Sequence, residues 1–162
     1  AWVGLGSNQG DPVAICRRAI QRLDHHPMGL RVVARSYLYR TQPVGGIRQP
    51  WFVNGVVVVK SRWGPRTLVR LLHRLERSFG RNRQREKRWG PRRLDLDLLF
   101  HGQRIIRTPR LTLPHPSLHL RRFVLTPLAD ISGNFMHPVL GKTVDSLLQD
   151  VDDTGQVKRL LP

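Results

Sequence analysis

Two aspartates separated by one residue are the clearest sign of chemistry in this sequence. Asp95 and Asp97 alternate with leucines over residues 94–99, directly after a segment, 81–93, that holds seven basic residues and one acid. On a strand, successive side chains point to opposite faces, so both carboxylates share one face with Cβ atoms roughly 7 Å apart. Carboxylates at that spacing can hold one Mg²⁺ or bridge two, together with substrate phosphates.

The neighbouring arginines favour a metal–phosphate site over a solvated strand face for Asp95 and Asp97. An Asp-x-Asp pair alone is more often a solvated strand face, but guanidinium groups for phosphate beside carboxylates for metal are what phosphoryl transfer uses. The chain lacks G-x-x-x-x-G-K-[ST], H-R-D and D-F-G, and Gly4-Leu5-Gly6 lacks the third glycine of a dinucleotide fingerprint. The sequence therefore indicates a phosphotransfer enzyme outside the Walker and protein-kinase classes.

The elements that position these residues follow from hydrophobic periodicity. Strands are predicted over residues 2–5, 30–39, 52–60 and 94–99, with residues 104–108 as the hairpin partner of the last. Helices are predicted from Pro12, capped by Asp11, and over residues 66–79, 123–131 and 144–150. The basic segment 81–93 is expected to be an exposed loop. Strands and helices interleave without strict alternation, which favours an α+β sandwich over a doubly wound parallel sheet.

Composition bounds the class of protein. The 162 residues suit one domain, 1–162, that folds by burying an apolar core. Because no apolar run approaches the ~20 residues of a membrane helix and the first residues show no secretory signal, we expect a cytoplasmic protein. The single cysteine, Cys16, lies on the apolar stripe of the first helix and is predicted to be a core residue. The net charge of +17 favours phosphate-bearing partners, although drift toward arginine at solvated positions explains it equally well.

The order of several motifs resembles one known family, that of 6-hydroxymethyl-7,8-dihydropterin pyrophosphokinase. The motifs are Gly4-Leu5-Gly6-Ser7-Asn8, Tyr39-Arg40-Thr41 with Pro43-Val44-Gly45, Gln49-Pro50-Trp51-Phe52-Val53-Asn54, Glu76, the run 88–98, Pro114-His115-Pro116, and the run 121–125 with Pro127-Leu128. The resemblance covers nearly the whole chain. It implies a ferredoxin-like α+β sandwich with a mixed, mainly antiparallel sheet flanked by helices. It also implies transfer of the pyrophosphoryl group of ATP to the pterin alcohol in folate biosynthesis, giving the pterin diphosphate and AMP.

The same resemblance implies roles at the phosphate end of the site. Asp95 and Asp97 match the carboxylates that hold two Mg²⁺ ions against ATP, while Arg81 and Arg92 match arginines that contact the triphosphate and assist catalysis. The positions that match residues around the nucleotide are Glu76, Arg83, Trp89, Arg110, Thr112, His115 and Arg121. Trp89 among them matches a loop residue that closes over the site.

The pterin positions are implied in the same way. The loop whose backbone meets the pterin edge matches Thr41, Gln42, Pro43 and Val44. Asn54 matches the side chain that also reads this edge, and Phe52 and Phe123 match two rings that sandwich the pterin. A flat heterocycle is well held between two aromatic faces, and an amide offers both a donor and an acceptor. Taken alone, both phenylalanines would more often be core residues, and His115 is equally well explained as a structural histidine between prolines.

A second class of function starts from the same fold. An RRM-like nucleic-acid-binding module is also a ferredoxin-like sandwich, and Arg66, Arg70, Arg74 and Arg77 line one helical face. Against it, the aromatic RNP signature is absent, and paired aspartates repel phosphate unless a metal intervenes. We therefore expect a monomer that binds ATP and the pterin, and neither nucleic acid nor a membrane.

One position departs from the family pattern. Arg93 stands where the family commonly has a small polar residue. Strand alternation places it on the face of Asp95 and Asp97, where it is expected to pair with a carboxylate or to add a phosphate contact.

Overall fold

The frame of the molecule is an antiparallel sheet. The computed structural model describes residues 1–27, 29–46, 48–81 and 90–161. Within these ranges the larger sheet contains β1 (Trp2–Ser7), β2 (Arg31–Arg35), β3 (Tyr39–Thr41), β4 (Phe52–Lys60), β5 (Asp95–Phe100) and β8 (Val157–Arg159). A separate hairpin is formed by β6 (Ile106–Thr108) and β7 (Leu111–Leu113).

The strand order gives the fold class. The larger sheet runs β5-β1-β4-β3-β8, and β2 pairs with β4 beside β3. Helix α1 (Pro12–Asp24) follows β1, and α2 (Pro65–Ser78) connects β4 to β5. This arrangement is a ferredoxin-like α+β sandwich, as predicted. The prediction allowed a mixed sheet, whereas every strand pair between described residues is antiparallel.

Two hydrophobic cores lie on opposite faces of this sheet. Helices α1 and α2 cover one face, where Val57 and Leu96 are buried. Helices α3 (Arg122–Ser132) and α4 (Val144–Asp150) cover the other, where Val56 and Leu99 are buried. Odd and even residues of β4 thus point to different cores, which explains why its unbroken valine run predicted a central strand. Cys16 is fully buried in the first core, as predicted, and burial raises the pKa of its thiol to about 12.

The predicted strand over residues 30–39 is wrong as a single element. Arg35 pairs with Val57, but Tyr39 pairs with Asn54, so the connecting segment has one residue more than the opposing part of β4. The Ser36 hydroxyl accepts a hydrogen bond from the Val56 N–H at 2.9 Å, in place of a regular ladder bond. The extra residue makes a bulge that divides the strand into β2 and β3.

The predicted hairpin between residues 94–99 and 104–108 is also wrong. Strand β5 pairs with β1, while β6 pairs with β7. Residues 101–103 form a turn, as their composition suggests, but the chain that leaves it starts a second hairpin.

The end of α2 delivers an arginine to the face that carries the aspartates. Gly80 has φ of +87°, a left-handed conformation that ends the helix, and its N–H donates to the Arg77 carbonyl at 2.9 Å. The next residue, Arg81, is only 7% exposed. The prediction of an exposed loop over 81–93 is therefore wrong at its beginning, and also at Gly90, which is buried. Residues 82–89 lie outside the described part of the chain.

Candidate active site

A cavity of about 380 Å³ opens on the sheet face that carries Asp95 and Asp97. Its floor is formed by β1, β4 and β5, and its walls come from the segment after β3, the His115 segment and the start of α3. The alternation predicted for residues 94–99 is confirmed, because Leu94, Leu96 and Leu98 are buried in the opposite core.

Three strands place a row of residues across the cavity floor. Asn54 of β4, Gly6 of β1 and Asp95 of β5 are paired neighbours in the sheet. With strands about 4.8 Å apart, Asn54 and Asp95 lie about 10 Å from each other. A Cβ atom on Gly6 would collide with the Asn54 Oδ1 atom, so the absence of a side chain at Gly6 keeps the floor between them open.

Asp95 is the centre of an ion-pair cluster. Its Oδ1 atom accepts a hydrogen bond from the Arg81 guanidinium, and its Oδ2 atom accepts one from Arg92 Nη1 at 2.6 Å. Burial would raise the pKa of the Asp95 carboxyl, but the charges of Arg81 and Arg92 outweigh this effect and hold the pKa below its usual range. Asp95 is therefore ionised at neutral pH.

Glu76 holds this cluster from beneath. Its side chain is 1% exposed, and its Oε1 atom accepts hydrogen bonds from Arg81 Nη1 at 2.5 Å and from the Leu96 N–H at 2.8 Å. Leu96 lies between the two aspartates on β5. Glu76 thus joins the C-terminal turn of α2 to the strand that carries both carboxylates, and it does not line the cavity.

The donors and acceptors of this region suit a divalent cation with phosphate. Asp95 and Asp97 offer hard carboxylate oxygens of the kind that Mg²⁺ prefers. Arg92 Nε is a buried donor with no hydrogen-bond partner among the described residues, and Arg92 lines the cavity. A phosphate oxygen would satisfy this donor. The residues present therefore fit a metal–phosphate ligand, with Asp95 and Asp97 as the metal-binding groups.

His115 is held as a neutral imidazole. Its Nδ1 atom accepts a hydrogen bond from the Ser117 N–H at 3.2 Å, which leaves the ring proton on Nε2. Burial and the nearby charge of Arg121 lower the pKa of His115 to about 4. At neutral pH the ring can donate a hydrogen bond into the cavity, but it is not poised to act as a general base.

The opposite end of the cavity, around Thr41, Gln42 and Asn54, is lined by uncharged side chains. Asn54 Nδ2 donates to Thr41 Oγ1 at 2.6 Å, so this buried amide is held in one orientation. Strand β8, which the sequence did not predict, pairs with β3, and beyond it the Gln42 N–H donates to the Gln156 carbonyl at 3.0 Å. Phe52, at the start of β4, and Phe123, in the first turn of α3, both line the cavity and are half-buried.

The structure brings together most of the predicted site residues. Those that line the cavity are Thr41, Gln42, Val44, Phe52, Asn54, Arg81, Arg92, Asp95, Asp97, His115, Arg121 and Phe123. Pro43, Glu76 and Thr112 do not line it, and Arg110 lines a separate groove of about 700 Å³ between α2 and the β6–β7 hairpin. Arg83 and Trp89 lie outside the described residues.

Some cavity residues were not predicted. Gly4, Gly55 and Leu99 line the floor, and Val124 lines the wall. Gly4 stood in a quoted motif and Gly55 directly follows one, but only the register of the strands shows which face they occupy. The side chain of Arg93 is exposed and lies beside Gly80, and none of the ion pairs between described residues includes it. Among the described residues Arg93 therefore does not pair with Asp95 or Asp97, and it does not line the cavity; its expected phosphate contact stays a prediction.

Comparison with known proteins decides the family. The model of the family described as 7,8-dihydro-6-hydroxymethylpterin-pyrophosphokinase matches residues 2–133. This chain belongs to that family. The membership confirms the resemblance seen in the sequence, and it gives no support to the alternative of an RRM-like module.

Relatives within the pyrophosphokinase family align along almost the entire chain. The 2-amino-4-hydroxy-6-hydroxymethyldihydropteridine pyrophosphokinase of Methylorubrum extorquens is 41% identical over 155 residues, which are 96% of this chain and 95% of that protein. The protein of the same name from Synechocystis sp. is also 41% identical over 155 residues, or 96% of this chain and 77% of that protein.

Solved structures of the family support the fold. The crystal structure described as Plasmodium falciparum HPPK-DHPS wild type with pteroate superposes with a TM-score of 0.73 at 16% identity, covering 92% of this chain and 41% of that one. This chain therefore spans about two fifths of that longer protein. Among the described residues of this family member, no helix has the length and apolar character needed to cross a membrane.

Proposed function

We propose that this chain transfers the pyrophosphoryl group of ATP to 6-hydroxymethyl-7,8-dihydropterin in folate biosynthesis, and that the cavity described above is where it does so. The row formed by Asn54, Gly6 and Asp95 carries this proposal. It puts an amide able to read a heterocycle about 10 Å from the carboxylates and arginines of a phosphate site, on one open floor.

The phosphate end is formed by charged groups that are already in place. Asp95 and Asp97 would hold two Mg²⁺ ions, which neutralise phosphate charge and polarise the phosphorus–oxygen bonds when bound. Arg81 and Arg92 contact the triphosphate, and the free Arg92 Nε donor gives one phosphate oxygen a direct partner. His115 Nε2 and Arg121 add donors from the opposite wall. Once both ligands are bound, charges held in this way stabilise the transition state without further reorganisation.

The nucleoside end of ATP is assigned to the groove that Arg110 lines. Val69 and Leu111 give it apolar walls suited to a flat base, and Arg66 and Arg70 add positive charge. His73, in the same groove, lies one helical turn before Glu76, and α2 then delivers Arg81 to the cavity. Helix α2 therefore contributes both to the groove and, through Arg81, to the phosphate end, and Thr112, Arg83 and Trp89 remain predicted nucleotide contacts.

The pterin lies at the uncharged end, between Phe52 and Phe123. Asn54 and the backbone of residues 41–44, which include Pro43, meet its hydrogen-bonding edge. Its hydroxymethyl oxygen points toward Asp95 and attacks the β-phosphorus in line. A new bond forms between this oxygen and the β-phosphorus, and the bond from the β-phosphorus to the oxygen that bridges it to the α-phosphate breaks. AMP leaves with that bridging oxygen, and the hydroxyl proton passes to solvent. Catalysis comes from positioning and charge neutralisation.

Substitution of the two carboxylates tests the proposal. Asp95→Asn and Asp97→Asn are each expected to lower turnover by more than about a hundredfold, because each removes a metal-binding oxygen. Both variants should keep the wild-type melting temperature within a few degrees, since asparagine retains the size of the aspartate side chain and one acceptor oxygen. Turnover is measured as AMP formation that depends on the pterin alcohol, at saturating Mg²⁺.

The matched control is Asp150→Asn. Asp150 forms an exposed ion pair with Lys142 at 2.8 Å, on α4 and remote from the cavity lining. This variant loses a carboxylate as well and should retain full turnover. Near-native turnover in the double variant Asp95→Asn, Asp97→Asn would refute the metal assignment.

The proposal covers the whole chain. We place residues 1–162 in one pyrophosphokinase domain that acts as a monomer in the cytoplasm, with ATP and the pterin as its partners and with no nucleic-acid or membrane partner. Sedimentation of the purified chain with and without both ligands tests the monomer.

A further inference from the structure

The buried Asn8 side chain joins two segments that contribute to the proposed site. It lies just after β1, is 3% exposed, and does not line the cavity. Its Oδ1 atom accepts a hydrogen bond from the Arg92 N–H at 2.7 Å. Its Nδ2 atom donates to Gln49 Oε1 at 3.0 Å and to the Pro50 carbonyl at 3.1 Å.

The bond to Arg92 is one half of a pair. The backbone N–H of Asn8 donates to the Arg92 carbonyl at 3.0 Å. Both backbone polar groups of Arg92 therefore bond to Asn8, and no other residue shares them in the described part of the chain. The Arg92 side chain, which bonds to Asp95 Oδ2, thus extends from a backbone that Asn8 holds on both sides.

The other two bonds hold the approach to the pterin end. Gln49 and Pro50 precede β4, whose first residue is the predicted stacking residue Phe52. They also end the segment that begins with Gln42 and Val44, both at the cavity wall. The Asn8 amide thus links two parts of the chain. One is the pair of residues just before Phe52, and the other is the backbone of Arg92.

We infer that Asn8 is a positioning residue that couples pterin binding to the placement of Arg92. When the pterin orders the segment before Phe52, the Asn8 amide transmits this order to the Arg92 backbone, and phosphate binding at Arg92 acts in reverse. Such coupling is reciprocal, because each ligand must change the affinity of the other by the same factor. This inference rests on the proposed function for the identity of the two ligands.

The test measures binding as well as turnover, using the full chain. Pterin affinity is determined by calorimetry with and without Mg²⁺ and a non-hydrolysable ATP analogue. In the wild type, the nucleotide should raise pterin affinity at least about fivefold. In Asn8→Ala this factor should fall to below twofold, and kcat should fall about tenfold, as for other residues that orient a functional group.

Two further variants distinguish a loss of coupling between the ligands from a loss of folding stability. Ser7→Ala is the matched control, because the Ser7 hydroxyl is buried beside Asn8 and has no hydrogen-bond partner among the described residues. It should keep the wild-type coupling factor. Gln49→Ala removes one of the two hydrogen bonds that Asn8 Nδ2 donates and leaves the bond to the Pro50 carbonyl. The coupling factor should therefore fall to a value between those of the wild type and Asn8→Ala. This variant should stay folded even if Asn8→Ala does not fold.

The outcomes are decisive in both directions. A folded Asn8→Ala protein with the wild-type coupling factor would overturn the inference, as would a wild type without coupling or a folded Gln49→Ala protein whose factor is unchanged. Failure of the proposed function looks different, because the wild type would then form no AMP in the presence of the pterin alcohol.

Discussion

Two glycines of β1 face the same cavity but have different neighbours. A Cβ atom on Gly6 would collide with Asn54 Oδ1, whereas a Cβ atom on Gly4 would meet Leu99 Cδ2 at 3.5 Å, an ordinary van der Waals contact. Neither glycine has positive φ. The requirement for glycine at position 6 therefore comes from the close approach of a neighbouring side chain, and not from backbone conformation.

This difference predicts unequal effects of alanine. Gly6→Ala should displace the Asn54 amide from the position in which it bonds to Thr41, and should weaken pterin binding at least tenfold. Gly4→Ala should weaken it less than about threefold, because Leu99 can remain where it is. Calorimetric titration with the pterin compares the two, and equal losses would show that Asn54 does not read the pterin.

Substitution of Phe123 is expected to affect the binding of only one of the two proposed substrates. Phe123→Ala removes one aromatic face of the proposed pterin site, a loss of about 1–3 kcal/mol by analogy with bases stacked on aromatic rings. The affinity for the ATP analogue should change little. Phe123→Leu keeps apolar bulk and should restore thermal stability without restoring pterin affinity. If both affinities fall equally in Phe123→Ala, the ring serves the fold and not the ligand.

At the scale of elements, α2 and β5 are tied together by one carboxylate. Glu76 accepts hydrogen bonds from both Arg81 and the Leu96 N–H, and the side chains of Glu76 and Arg81 are both buried. Glu76→Ala would leave a buried guanidinium and a backbone N–H without this acceptor, and should lower the free energy of unfolding by about 3–5 kcal/mol. Glu76→Gln keeps an acceptor oxygen and should lose less. Urea unfolding measures both, and a loss below about 1 kcal/mol in the alanine variant would contradict this role.

Local pattern predicted the elements, but not the contacts between them. Helix α1 with its Asp11 cap, β4 and α4 follow from spacing and capping within a few residues of chain. Strand β8 has only three residues and forms because the edge of β3 is available, so nothing in its own sequence reveals it. The Ser36 bulge likewise depends on a partner strand.

In the candidate site, too, features set by local sequence could be predicted, and features that depend on contacts between distant residues could not. The shared face of Asp95 and Asp97 follows from alternation alone, and their expected metal from carboxylate chemistry. The positions of Glu76 and Asn8 in the site depend on hydrogen bonds to distant parts of the chain. The bond between Glu76 and Leu96 spans 20 positions of sequence, and the bond between Asn8 and Arg92 spans 84. No periodicity in the sequence contains that information.

For the whole molecule, one contribution to the pH dependence of stability comes from His137, a histidine that does not line the cavity. His137 is 4% exposed, and its Nδ1 atom accepts hydrogen bonds from the Val139 N–H at 3.3 Å and the Leu140 N–H at 3.2 Å. Burial, with a smaller contribution from His119, lowers the pKa of His137 below 6.5. The unfolded chain therefore takes up this proton at a higher pH than the folded chain does.

The sign of the pH effect follows directly. As the pH falls below about 6.5, protonation increasingly favours the unfolded state, so the melting temperature should decrease. His137→Asn keeps an acceptor oxygen but does not titrate, and its melting temperature should fall less between pH 7.5 and pH 5.5 than that of the wild type. His25→Asn, at an exposed position after α1, serves as the control. Parallel curves for wild type and His137→Asn would exclude this assignment.

The ion pairs of Asp95 have a consequence for the order in which charge enters the site. Without ligand, Arg81 and Arg92 act as counterions to the carboxylate, so a lone divalent cation would have to expel a guanidinium within a protein of net charge +17. A metal-free nucleotide that paired with these guanidinium groups would instead leave the carboxylate without its counterions. Under the proposed function, a metal–nucleotide complex would avoid both costs, because its cation would replace the guanidinium groups at the carboxylate and its phosphates would pair with those guanidinium groups. The proposed site is therefore expected to bind the metal and the nucleotide together in preference to either one alone.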